Sequence, residues 1–339
     1  MKLALMLGLV ALTLAAGCGD DVSGSGAGAG GAGAGTGTGT GTGPSGGGGT
    51  TSTGGAGGEG AGTSINCFED HSYPIAPDYD QYAPTYGTHC AGTNHQDIEG
   101  VERLVFLGDS ITQGTPPTPA GDFYRTRLAD AMTAKFPGLQ VDECAVNGAK
   151  VDDLMAGGDM QIQSCFPAPE PLKTLVVITI GGNDITDWPS GDFSQAEAEA
   201  DAEVIAQTFH EAVTWLKDPV NFPNGSYVVF AGVYEFTDGT GDLDSCPTAG
   251  LIGLSGEYFE GALALSKLNE LYMQTAVETG SDMIFLLSDF CGHGYNKDDP
   301  DNFCYVGPDA EQWFDITCIH PTPAGHGRMA EMFELTIEE

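Results

Sequence analysis

The sequence predicts an α/β protein whose parallel sheet is covered by helices on both faces. Two observations predict it: short apolar runs alternate with helical stretches of about 12 residues or more, and several runs end in turns that hold Gly, Asn or His. Runs at 103–108, 139–146, 174–180, 227–234 and 283–287 read as strands. Stretches at 123–136, 195–216, 258–278 and 323–335 read as helices. Five parallel strands between two helical layers make a three-layer, flavodoxin-like sandwich.

The first run, RLVFLGDSITQG, is the stretch around which the chain is organised. It breaks into Gly108-Asp109-Ser110 and then turns polar, so it reads as a buried strand that presents a hydroxyl where a helix opens. Open α/β sheets place their chemistry at such strand ends, because unpaired N–H groups at the helix start can hold developing negative charge. Ser110 is therefore the candidate nucleophile. By itself Gly-Asp-Ser is also an ordinary turn, and what lies downstream decides between the two.

The front of the chain is of another character. Residues 1–17 carry Lys2, an apolar run and Leu14-Ala15-Ala16-Gly17 before Cys18, small residues of the kind a signal peptidase requires. The run is short for a bilayer span. This segment resembles a bacterial lipoprotein signal, which implies that Cys18 is lipidated and anchors the protein to a membrane, outside the cytoplasm; a plain secretory signal or a short anchor is the alternative. Residues 19–64 are Gly, Thr, Ser and Ala with almost no apolar bulk, a flexible tether spanning roughly 35 to 40 Å. From 65 to 100 the chain holds Cys67, Cys90 and several Tyr and Pro without helical periodicity, so an irregular, disulfide-clipped lead-in is expected on the edge of a single domain running from 65 to 339.

Forty-eight Asp and Glu stand against 11 Lys and Arg, a net charge of -37, which excludes nucleic acid as a partner and disfavours anionic membrane surfaces. The hydrophobic fraction of 41% still supports a core. With Cys18 set aside, eight cysteines remain, an even set that suits an oxidising compartment. They allow 105 pairings. Neighbour pairing is the expectation: Cys67 with Cys90, Cys144 with Cys165, Cys246 with Cys291, and Cys304 with Cys318. No Cys-x-x-Cys pair points to zinc, and no metal site or cofactor is expected.

Three further sites fall where strands end: Asn147-Gly148, Gly181-Gly182-Asn183-Asp184, and Ile319-His320-Pro321. A nucleophile needs a base within hydrogen-bond reach and donors aimed at the oxyanion, and strand ends deliver these to one rim. In this order, GDSIT, NG, GGND and IHP, the chain resembles the SGNH or GDSL hydrolase family from Arg103 to its end. The resemblance implies a serine esterase acting through an acyl-enzyme without a cofactor. Ser110 would be the nucleophile and His320 the base, with the N–H groups of Ser110 and Gly148 and the amide of Asn183 as the oxyanion hole.

The sequence departs from the family at the acid. An Asp usually stands three residues before the His, but here that position is Thr317 and the nearest acid is Asp315. Either Asp315 orients the imidazole, or a backbone carbonyl or the Thr317 hydroxyl does so in a Ser-His dyad. Asp109 and Asp184 read as turn-shaping groups beside the site and His326 as a capping or surface group. The acidic loop Asp238 to Asp244 has oxygen ligands for calcium but lacks the EF-hand pattern. The expected substrate is a carboxylic ester, a carbohydrate acetyl ester or a lipid ester, with an extracellular polymer slightly favoured. The rival from another class is a surface-displayed carbohydrate-binding or adhesion module that kept the fold and lost turnover.

Overall fold

All five strands are parallel and lie in the order β2-β1-β3-β4-β5: β1 (Arg103–Gly108), β2 (Gln140–Glu143), β3 (Thr174–Thr179), β4 (Ser226–Ala231) and β5 (Asp282–Ile284). This architecture comes from a computed structural model that describes residues 67–68 and 73–339. Cys18, the Gly-rich tether and His71 lie outside the described residues. In chain order the helices are α1 (Ser110–Gln113), α2 (Tyr124–Lys135), α3 (Gln161–Cys165), α4 (Gly182–Ile185), α5 (Asp187–Ser190), α6 (Gln195–Lys217), α7 (Phe259–Thr279), α8 (Leu286–Phe290) and α9 (Pro323–Glu338).

The strands read as unbroken apolar runs because both faces of the sheet are covered. Val105, Leu107, Val176, Ile178, Val228 and Phe230 belong to the core shared with α6 and α7, while Leu104, Phe106, Leu175, Val177 and Val229 belong to the one shared with α2 and α9. That period of two is the pleat of each strand, and it yields the expected three layers. The long helices begin where local chemistry says they should. Ser194 and Glu197 close a capping box ahead of α6, and Thr322 accepts from Gly325 N with Pro323 at the first position of α9.

Three strands stop well short of their apolar runs, and one of them, β4, ends at Ala231 instead of Tyr234. The β2 edge carries Gln140, Asp142 and Glu143, and its ladder continues past the strand through Cys144 N to Phe106 O and Val146 N to Gly108 O, both 2.9 Å. β5 stops at Ile284, and Leu286 and Leu287, expected in the strand, lie in α8. They are buried there all the same, so burial and not extended backbone made the run apolar. The lead-in covers the β5 edge. Gly92 bridges Ile284, Thr93 N donates to Met283 O, and the buried Asp282 carboxylate accepts from Thr93 Oγ1 (2.8 Å), His95 N (2.7 Å) and Gln96 Nε2 (2.9 Å). An open edge is thereby closed to other chains.

Among the described residues four disulfides are present, two of them as expected: Cys67–Cys90 and Cys144–Cys165. The other two correct the neighbour pairing, because Cys246 joins Cys318 across 72 residues and Cys291 joins Cys304. Loop-closure entropy grows only slowly with loop length, so proximity in sequence is a weak guide. Here the loop after β4 and the loop before α9 meet at the same end of the sheet, and that meeting chose the partner.

Candidate active site

Ser110 sits immediately beyond β1, at the first position of α1, and is 5% exposed. The turn that presents it demands glycine at 108: φ is +128°, and a Cβ there would lie 2.0 Å from Thr179 O on the neighbouring strand. Asp109 caps the turn, its Oδ1 accepting from Ile111 N at 2.9 Å and from Thr179 Oγ1 at 3.2 Å. Gln161 was not singled out in the sequence, yet its amide pairs with both backbone groups of Gly108. Gly108 N donates to Oε1 and Nε2 donates to Gly108 O, each at 2.8 Å. No local pattern marks Gln161, because the pairing joins residues 53 apart.

The strand order places the oxyanion candidates around Ser110. β1 lies between β2 and β3, so the turns after these three strands share one rim at the point where the strand order reverses. Gly148 occupies the turn after β2 with φ +82°, a left-handed conformation that favours glycine, and a Cβ there would meet nothing within 4 Å. Backbone angle, not crowding by the protein, is what selects glycine at 148. Asn183 at the start of α4 donates through Nδ2 to Ala149 O at 2.9 Å, one of the two N–H bonds its amide can make. Asp184 accepts from Val151 N at 3.2 Å. The GGND turn therefore holds the 148–151 segment in place, the turn-shaping part expected of Asp184.

His320 Nε2 lies 2.9 Å from Ser110 Oγ. On the other side of the ring, Nδ1 is 2.8 Å from Thr317 Oγ1, which is in turn 2.5 Å from Asp315 Oδ1. Asp315 thus reaches the imidazole through the Thr317 hydroxyl and not directly. An ionised carboxylate only accepts, so the single hydroxyl proton goes to Asp315 and the hydroxyl oxygen accepts Nδ1–H. This leaves Nε2 unprotonated toward Ser110, the tautomer a general base needs. Thr317 N also donates to Asp315 Oδ1, at 2.7 Å, and His320 N to Thr317 Oγ1, at 3.3 Å. The loop is closed by Asp315 N to His320 O (2.9 Å) and by the Cys246–Cys318 bridge, with Cys318 at φ +72°.

Burial lowers the His320 pKa from its ordinary value, and the Asp315 charge opposes part of that shift. Desolvation pushes Asp109 and Asp184 up to about 7 each. His326 is buried, not a surface group. Its Nδ1 accepts from Tyr124 N at the start of α2 (3.3 Å), and burial lowers its pKa to about 3, so it stays a neutral acceptor. The acidic loop has a structural part: Asp238 accepts from Gly292 N, Gly294 N and Asn296 N, which ties two loops together. Among the described residues no three His, Cys, Asp or Glu side chains converge to hold a metal ion. An apolar cavity of about 140 Å³ opens beside Ser110 and Asn183.

Residues 106–328 match the GDSL-like Lipase/Acylhydrolase family. The chain belongs to this family. As a GDSL-like acylhydrolase it is a hydrolase acting on ester bonds, with the four blocks on the rim just described. No curated protein matches the chain. Solved structures similar to this acylhydrolase include a gut microbial diltiazem-metabolizing enzyme (17% identity, TM-score 0.49, 72% of this chain and 49% of the other, so that the match spans about half of that enzyme). Others are the acetylxylan esterase Axe2 from Geobacillus stearothermophilus (19%, 0.47, 72% and 97%) and phospholipase A1 from Streptomyces albidoflavus NA297 (18%, 0.45, 71% and 100%).

Proposed function

We propose that this acylhydrolase is a serine esterase acting outside the cytoplasm through a covalent acyl-enzyme. Ser110 Oγ attacks the ester carbonyl carbon as its proton passes to His320 Nε2. The carbon–oxygen bond to the alcohol then breaks, and the same proton goes to the leaving oxygen. Water then gives a proton to His320 as it attacks the acyl carbon, and that proton passes to Ser110 Oγ as its bond to the carbon breaks, which frees the carboxylic acid. The N–H groups of Ser110 and Gly148 and the second amide N–H of Asn183 stabilise the oxyanion; a donor of this kind is worth about 2.7–4 kcal/mol of transition-state stabilisation. Thr317 and Asp315 hold the tautomer and stabilise the imidazolium when it forms.

The observation that carries this reading is the 2.9 Å contact between His320 Nε2 and Ser110 Oγ, backed on the far ring nitrogen by a hydroxyl that donates to a carboxylate. It also counts against a binding module, which has no use for an aligned base. Turnover of a chromogenic acyl ester is expected from the wild type and to fall to background in Ser110→Ala. Equal turnover by both would end the proposal.

The substrate proposed is an ester of a carbohydrate or a lipid, reached by a domain tethered through lipid at Cys18. Four disulfides and the lipoprotein-like leader support the extracytoplasmic address. Metabolic labelling with a fatty-acid probe is expected for the wild type and lost in Cys18→Ser; equal labelling would remove the anchor.

A further inference from the structure

The cavity beside Ser110 measures about 140 Å³, close to the roughly 150 Å³ of an apolar cavity that holds one benzene ring. It therefore has room for about six carbons. Val233, Ala262, Leu265 and Leu286 are among the residues that line it. Its two carboxylates are engaged by backbone: Asp109 by Ile111 N, and Glu235 by Thr237 N and by Gly239 N, the last at 2.6 Å. Neither is left to draw a cation or water layer into the space.

Which half of an ester enters follows from the borders. Ser110 and Asn183 border the cavity, whereas His320, which faces the departing alcohol, stands outside its lining. With the alcohol oxygen toward His320 and the carbonyl oxygen toward Asn183, the remaining substituent of the carbonyl carbon, the acyl chain, points into it. We propose that this cavity is the acyl pocket and that the enzyme selects apolar acyl groups of about six carbons over acetyl. The inference rests on the ester hydrolysis assigned to Ser110, and it sets a carbohydrate acetyl ester below an ester of a medium-chain acid.

Burying one methylene is worth about fourfold in an equilibrium or rate ratio. Four of them separate hexanoyl from acetyl, so kcat/KM rises on the order of 10² from the p-nitrophenyl acetate to the hexanoate. It stops rising once the chain outgrows the pocket, near the octanoate. Ala262 is 7% exposed on α7, and a larger side chain there fills the space. Ala262→Phe is expected to lower the hexanoate-to-acetate ratio at least tenfold, with a normal thermal melt. Inhibition of the unsubstituted protein by alkylboronic acids, which add to Ser110, reads the same preference without a core substitution: hexyl is expected at least tenfold tighter than methyl.

Acetate turned over as fast as hexanoate, in a reaction abolished by Ser110→Ala, would overturn the acyl pocket and leave the esterase standing. A hexanoate preference that a folded Ala262→Phe protein keeps would also overturn it. If neither ester is turned over, both readings fall.

Discussion

The hydroxyl of Thr317 has one proton to give, and it stands between Asp315 and a ring nitrogen that must keep its own. Changing either partner therefore changes where the imidazole proton sits. In Asp315→Asn an amide N–H can face the Thr317 oxygen, the hydroxyl then donates to Nδ1, and the proton moves to Nε2, where it blocks the base. The loss expected in kcat is about 10⁴, as for the equivalent change in a serine protease triad. Thr317→Ala, which empties the bridge, is expected to lower kcat by more than about tenfold, whereas Thr317→Ser stays within about tenfold, or roughly 1.4 kcal/mol, because the hydroxyl survives. A loss below tenfold for Asp315→Asn, in protein that melts normally, would take Asp315 out of the relay. Because burial lowers the His320 pKa, the acid limb of kcat/KM is expected below the ordinary 6.5.

The loop that carries Asp315, Thr317 and His320 is an element with almost no regular structure, and its shape rests on cross-links. Cys246–Cys318 ties it to the segment after β4, and Thr248 Oγ1 donates to Ile316 O in the same place. The bridge closes 72 residues and is worth about 4 kcal/mol in the chain-entropy model. Cys67–Cys90 closes 23 and is worth about 3 kcal/mol. Both double alanine variants are expected to lose stability on that scale. They differ in catalysis: measured well below each melting temperature, kcat falls when Cys246 and Cys318 are replaced and holds when Cys67 and Cys90 are. Equal kcat in the two variants would show that the loop keeps its shape without its bridge.

Across the whole molecule, buried acids and buried histidine pull stability in opposite directions with pH. Desolvation raises Asp109, Asp184 and Glu235 to about 7 and moves Asp238 and Asp282 upward as well. A carboxyl raised in the folded state gives stability that is full below its unfolded pKa and is lost as pH rises through 7. His326 is lowered to about 3, so its contribution is full above 6.5 and is lost as pH falls. The net charge of -37 adds self-repulsion on the alkaline side. Between about pH 4 and 6.5 three raised carboxyls lose stability where one histidine gains it, so the melting temperature is expected to peak near pH 4 and to fall toward pH 7 and above. His326→Gln keeps an acceptor for Tyr124 N and should flatten the acid limb; a melting temperature that climbs steadily from pH 6 to 9 would refute the assignment.

Strand positions, the long helices and the rim residues Ser110, Gly148, Asn183 and His320 were legible in the sequence because each is marked locally. Apolar runs buried on both faces end in the turns that hold Ser110, Gly148 and Asn183, and the strand order carries those turns to one place, whereas His320, expected at a strand end, comes from the loop before α9. The short α8 was hidden, since Leu286 and Leu287 are as buried in a helix as they would be in a strand. Tertiary structure alone decided that Thr317 stands between Asp315 and His320, that Gln161 braces Gly108, that His326 is buried against α2, and that Cys246 pairs with Cys318. Most of these join residues far apart in the chain, where closure costs vary too slowly with separation to favour one partner. The Thr317 bridge is local but depends on a tight loop with left-handed Cys318, a conformation a cysteine code does not announce and the packed loop imposes.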